Sequence, residues 1–172
     1  MRTTLFLMLA LALFSLLWRV LPHGWNMTPV LALALFAGAR LPHPGLRLAL
    51  PLGVMLLSDL WLGFHATMPY VYAALALVVL MGRFLHGRGL AGHAGFSVSG
   101  SLLFFFLTNF GVWLSAGLYP LTLDGLIACF TLAIPFLWKT LAGDLFFVLA
   151  FYALFQVAER RLAVQGRLAG HS

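Results

Sequence analysis

From Thr3 to Trp18 the chain passes through sixteen residues without a charge, and further apolar runs follow at about 28–39, 46–62, 69–85, 98–117, 122–137 and 141–158. Seven such runs in 172 residues leave little polar surface to face water. Hydrophobic residues make up 63% of the chain and charged residues 8%, against about 45–50% and about 25% in soluble domains. The solvent that these runs imply is lipid. They are continuous rather than alternating, so they predict helices and exclude a transmembrane β-barrel. One cysteine excludes a disulfide scaffold and a cysteine-based zinc finger.

Charge sets the topology. Ten Lys+Arg against four Asp+Glu give a net charge of +6, and the basic residues stand singly or in pairs between the runs, as orientation signals do. No basic stripe interleaves with aromatic residues, so nucleic acid is not an expected partner. The first run ends in Trp18-Arg19-Val20-Leu21-Pro22 rather than in the small residues of a cleavage site, and reads as an uncleaved first span. Arg40 and Arg47, Arg83 and Arg88, and Arg160, Arg161 and Arg167 fall in alternate linkers and in the tail, whereas linkers 21–27 and 63–68 hold neither Lys nor Arg. With the basic segments in the cytoplasm, six crossings satisfy every cluster. The run to demote is 122–137, bracketed by Tyr119-Pro120, Asp124-Gly125 and Pro135. The expectation is an all-α integral membrane protein of six transmembrane helices over residues 1–160. A re-entrant segment near 121–137 dips in from the outer side, where protein or a cavity must surround it. A short basic cytoplasmic tail follows at 161–172, and the location is the bacterial inner membrane.

The sparse polar residues then sort to the outer half: His23, Asn26 and Thr28 in the first outer segment, Ser58, Asp59, His65 and Tyr70 in the second. The third holds Asn109, Trp113, Tyr119, Asp124, Cys129, Lys139, Thr140 and Asp144. Three of the four acidic residues lie there. An ionised Asp at the bilayer centre costs about 2.5–3.5 kcal/mol, so such groups face protein or water and tend to serve function. Asp59 and Asp144 are read either as substrate contacts or as locally paired groups, Asp144 having Thr140 one turn away and Lys139 nearby. Asn109 and Trp113 share a helical face, toward a ligand or a neighbouring helix. No two histidines stand at the spacing of a helical metal pair, and His65 is the one placed to meet a ligand. Cys129 is a small buried hydrophobe or a sulfur that meets a metal centre. Ala34 and Gly38 form a small-residue pair suited to close helix contact, internal or with a partner. Nucleotide-binding loops and nucleophile motifs are missing from the sequence, so transport is expected ahead of catalysis; a membrane-embedded enzyme, or an accessory subunit that packs against a partner, is the alternative of a different class.

The same residues carry a family resemblance. Asn26-Met27-Thr28-Pro29-Val30, Met55-Leu56-Leu57-Ser58-Asp59-Leu60, Thr108-Asn109-Phe110-Gly111-Val112-Trp113, Tyr119-Pro120, Cys129 and Thr140-Leu141-Ala142-Gly143-Asp144-Leu145 resemble a family of small bacterial membrane proteins. That family is similar to the S components of energy-coupling-factor vitamin transporters, with the BtuM-type cobalamin transporters the nearest characterised relatives. The resemblance covers about residues 20–158. It implies a six-helix fold with substrate held beneath outer loops, and vitamin B12 uptake either alone or with a separate ATPase and scaffold module. It also implies a cysteine thiolate as axial cobalt ligand, which only Cys129 can supply. Asn26, Thr28, Asp59, His65, Tyr70, Asn109, Trp113, Tyr119 and Asp144 are the expected substrate contacts. The chain is expected to have no cofactor of its own, cobalamin being cargo, and another vitamin or small precursor is the alternative substrate.

Overall fold

The structure, a computed structural model, describes residues 2–21 and 27–169. Six α-helices alternate in direction: α1 (Arg2–Val20), α2 (Val30–Arg40), α3 (Pro44–Leu62), α4 (Met68–Gly82), α5 (Leu90–Ser115) and α6 (Leu123–Ala169), with a 3₁₀ turn at Arg83–Leu85 between α4 and α5. Five of them are long and apolar enough to cross a membrane. Only 22–33% of each spanning window is buried inside the protein, so the remaining apolar surface needs lipid to cover it. Phe6, Leu9, Leu13 and Leu17 on α1 and Leu56, Leu57, Leu60 and Trp61 on α3 are all exposed in this way.

The exception is α2. Its nine residues from Val30 to Gly38 are all buried, and it packs against every other helix. A helix that is apolar all round belongs in a core. At 11 residues it rises about 16 Å, roughly half the hydrocarbon thickness, which is tolerable because protein rather than lipid surrounds it. It stops where Leu41 takes an extended backbone ahead of Pro42, whose ring disfavours a helical conformation at the residue before it. The Gly38 contact is internal. A Cβ there would come within 2.0 Å of the Val79 carbonyl oxygen, and one on Gly82 within 2.2 Å of the Leu35 carbonyl oxygen. The two glycines let the backbones of α2 and α4 touch. Ala34 is wholly buried on the same helix, so this face is not open to a partner.

The structure corrects the reading of 121–137. That segment does not enter and return; it is the first part of α6, which runs unbroken for 47 residues from Leu123 to Ala169. The features taken as breaks suit a helix start. Asp124 lies in the first turn, where the macrodipole favours a negative charge. Gly125 sits tight against the Pro120 carbonyl, turning the chain into the helix. Pro135 lies inside α6 as Pro51 lies inside α3, and membrane helices accommodate such interruptions. The basic tail expected from residue 161 is likewise helical through Ala169.

Alternation gathers the charges. Arg40 pairs with Glu159, and Arg88 shares a cavity with both. Arg47 and Arg83 flank another. All four arginines therefore lie at one end of the bundle, here called the basic end. The C-terminal ends of α1 and α3 meet at the opposite end, called the outer end after the orientation expected from sequence, where Arg19 pairs with Asp59.

Replacing Gly38 with Val should force the α2–α4 backbones apart and cost about 1–3 kcal/mol or more, read as a lower unfolding temperature in detergent. Gly53→Ala, where a Cβ would meet nothing within 4 Å, should leave that temperature unchanged or raised.

Candidate functional site

A cavity of about 190 Å³ opens in the outer half of the bundle where α2 begins. Its polar lining is Arg19 from α1, Thr28 ahead of α2, His65 from the α3–α4 loop, and Thr140 and Asp144 from α6; Met55, Leu75 and Phe104 are among its apolar walls. Local packing brings Thr28 there. The Trp18 indole N–H donates to the Met27 carbonyl at 2.8 Å, and the Met27 side chain lies where a Cβ on Gly143 would approach to 2.7 Å. Any larger residue at 143 would push Met27, and Thr28 with it, out of place.

Asp144 is 4% exposed. The Ser101 hydroxyl lies 2.7 Å from its Oδ2 and 2.9 Å from the Ser97 carbonyl, so a single proton serves two acceptors. No other hydrogen bond reaches the carboxyl group among the described residues, although its side chain lines the cavity. Thr140, one of the partners expected from sequence, lines the cavity beside it with no hydrogen bond to it among the described residues. Glu159 of the same helix marks the basic end fifteen residues on, so Asp144 lies about 22 Å away along the helix. A carboxyl group at that depth, with one hydroxyl neighbour and a cavity beside it, is held at a cost that local pairing does not offset.

Asp59 is the opposite case. It is 2% exposed, accepts from the Arg19 guanidinium at 2.8 Å and from the Tyr72 hydroxyl at 3.0 Å, and does not line the cavity. Arg19 also donates through Nε to the Ser58 hydroxyl at 2.7 Å, and that hydroxyl donates to the Met55 carbonyl. The acid is paired, and the pairing aims Arg19 at the cavity wall. Sequence reasoning used Arg19 only to mark the end of the first span and missed it as a site residue. The signal available was its place beside the outer carboxylates, far from every other arginine.

The other expected contacts do not converge on this cavity. Tyr70 covers Gly111, where a Cβ would lie 2.3 Å from its ring. The Trp113 indole N–H donates to the Pro120 carbonyl at 3.0 Å. The Asn109 amide donates to the Phe105 carbonyl at 2.8 Å, and Asn109 borders a separate cavity of about 180 Å³ between α5 and α6. Cys129 is 2% exposed, with Sγ 3.5 Å from the Asn109 carbonyl, and does not line the outer cavity. The Cys129 contact ties α6 to α5, the Trp113 bond ties α5 to the loop before α6, and Tyr70 packs α4 against α5. Tyr119 is half-buried in the loop joining those helices. His65 is exposed, its Nδ1 2.8 Å from the Thr67 hydroxyl. Asn26 lies outside the described residues. No group of three His, Cys, Asp or Glu able to hold a metal ion occurs among the described residues.

Over residues 1–165 the chain matches the model of a family of unknown function, DUF6580, and it belongs to that family. No curated protein and no solved structure matches it.

Replacing Arg19 with Met should leave the Asp59 carboxylate buried against Tyr72 alone and destabilise the protein by about 3–5 kcal/mol. Arg19→Met combined with Asp59→Leu should recover most of that loss, as read by unfolding temperature in detergent.

Proposed function

We propose that this chain is a substrate-binding membrane transport protein that holds a small polar molecule in the outer cavity, with the basic end in the cytoplasm of a bacterial inner membrane. The observation that carries the reading is Asp144, a carboxyl group deep in an apolar bundle with one hydroxyl partner and a cavity at its other side. A substrate that brings a cationic or N–H group to Asp144 supplies the missing partner. Arg19, Thr28 and Thr140 offer donors to its other end, and Leu75 and Phe104 cover its apolar middle. The resemblance to S components supports the same placement of substrate, beneath the outer loops, and leaves energy input to a separate ATPase module or to none.

Size favours the smaller of the two substrate classes considered from sequence. Drug-sized ligands fill cavities of about 300–1,000 Å³, and a corrinoid is larger still, whereas this cavity holds about 190 Å³. The thiol that cobalt would need, on Cys129, lies elsewhere. A vitamin precursor or similarly small heterocycle with an amine fits both facts better than cobalamin does.

Uptake of labelled amine-bearing vitamins and their heterocyclic precursors by cells expressing the chain tests this. For the transported compound, Asp144→Asn should lower uptake about tenfold or more, the loss of one charge-assisted hydrogen bond, and Cys129→Ala should leave uptake unchanged. A corrinoid absorbance band that co-elutes with purified protein and changes in Cys129→Ala would overturn the small-substrate reading.

A further inference from the structure

A second cavity, of about 440 Å³, lies at the basic end, between α2, α5, α6 and the turn that follows α4. The outer-site reading makes no use of it. Four features give it a chemistry. Arg40 is taken up by Glu159 and lies over the Phe155 ring, so the one acid of the cavity is already neutralised. Arg88 is held by its Nε, which donates to the Phe84 carbonyl at 2.7 Å, and its guanidinium rests 5.3 Å from the centre of the Phe96 ring. Its terminal nitrogens make no hydrogen bond among the described residues. The 26-residue helix α5 begins at this wall after Gly89 with no side-chain cap, leaving first-turn N–H groups to an outside acceptor.

The fourth feature is His93, 2% exposed and lining the cavity. Its Nδ1 lies 3.0 Å from the Gly89 carbonyl, an oxygen that can only accept, so Nδ1 carries the proton. Its Nε2 has no partner among the described residues. A ring this deeply buried and packed against Phe36 and Tyr152, with one nitrogen left toward a cavity, is a prepared contact. Gly87, at φ +74°, and Gly89 would each present a Cβ to open space, so no side chain crowds the turn that carries Arg88.

We propose that this cavity binds the phosphate headgroup of an anionic membrane phospholipid. Arg88 and the start of α5 receive the phosphate, and His93 Nε2 accepts from a headgroup hydroxyl. On the topology proposed above, the basic end meets the anionic cytoplasmic leaflet of a bacterial membrane, which would supply such lipids, and basic pockets between spanning helices are suited to them. The apolar flanks beside it, including exposed Phe84 and Leu90, would carry the acyl chains.

The test uses the full chain in maltoside detergent at low salt. Its unfolding temperature is followed against added dihexanoyl phosphatidylglycerol, dihexanoyl phosphatidylcholine and inorganic phosphate. The expected result is a saturable rise with phosphatidylglycerol, with half-saturation shifted about tenfold upward in Arg88→Gln. His93→Phe, which removes the Nε2 acceptor without touching the arginine, should weaken binding in the same direction and serves if Arg88→Gln does not fold. No saturable rise, or an unchanged half-saturation in these variants, overturns the site. An equal response to inorganic phosphate overturns the lipid assignment in favour of a free anion, and an equal response to phosphatidylcholine overturns its anionic selectivity.

Discussion

Contact between two backbones, at Gly38 and Gly82, governs much of the rest of this molecule. Because neither residue carries a Cβ, α4 can lie directly on α2, and α2 can sit at the centre of the bundle with all its apolar length enclosed. A central helix must be shielded by the others, so they are arranged around it, each with one narrow stripe inward and a broad apolar surface outward. The centre is also short. The ring of longer helices continues past the start of α2, and the outer cavity lies there, with Thr28 and Leu31 of the α2 entry on its wall.

Two buried carboxyl groups show two ways of keeping charge in an apolar bundle. Asp59 is closed: a guanidinium and a phenol occupy it, and removing one partner harms the fold because the other charge is stranded. Asp144 is open, its one partner a serine whose proton has a second claimant. The difference lies in surroundings rather than residue type. Both stand in outer-facing helical halves, and only the three-dimensional partners separate a structural acid from one available to a ligand.

Much of this was legible in the sequence, and the failures have physical causes. The apolar runs gave six helices, and the basic linkers grouped Arg40, Arg47, Arg83 and Arg88 at one end. Thr28, His65 and Asp144 do share a cavity. The segment 121–137 was misjudged because Pro and Gly punctuate soluble helices more strongly than membrane ones. Asp124, Gly125 and Pro135 are compatible with a start and an interior once neighbouring helices pack around them. Tyr70, Asn109, Trp113 and Cys129 looked like a ligand shell because polar and aromatic residues are rare in such a chain. Asn109 and Trp113 donate to carbonyls four and seven residues away, Cys129 lies against a carbonyl of the neighbouring helix and Tyr70 packs on Gly111, none of which a residue pattern reports. Arg19 was passed over because a basic residue after an apolar run reads first as a boundary, and its partner lies 40 residues away.

The length of α6 has its own consequence. Its largely apolar length from Leu123 to Arg161 covers 39 residues, interrupted by Asp124, Lys139 and Asp144, and rises about 58 Å against a hydrocarbon layer of about 30 Å. An upright helix of that length projects beyond an ordinary bilayer. Projection of its charged ends into water, leaning or bending takes up the difference. Pro135, which leaves the Thr131 carbonyl without its helical donor, is where bending costs least. A bend at Pro135 would move the first arm of α6 relative to the bundle. Since α5 is fastened to that arm through Trp113, Pro120 and Cys129, such a bend would carry α5, and with it Phe104 on the cavity wall, in the same direction.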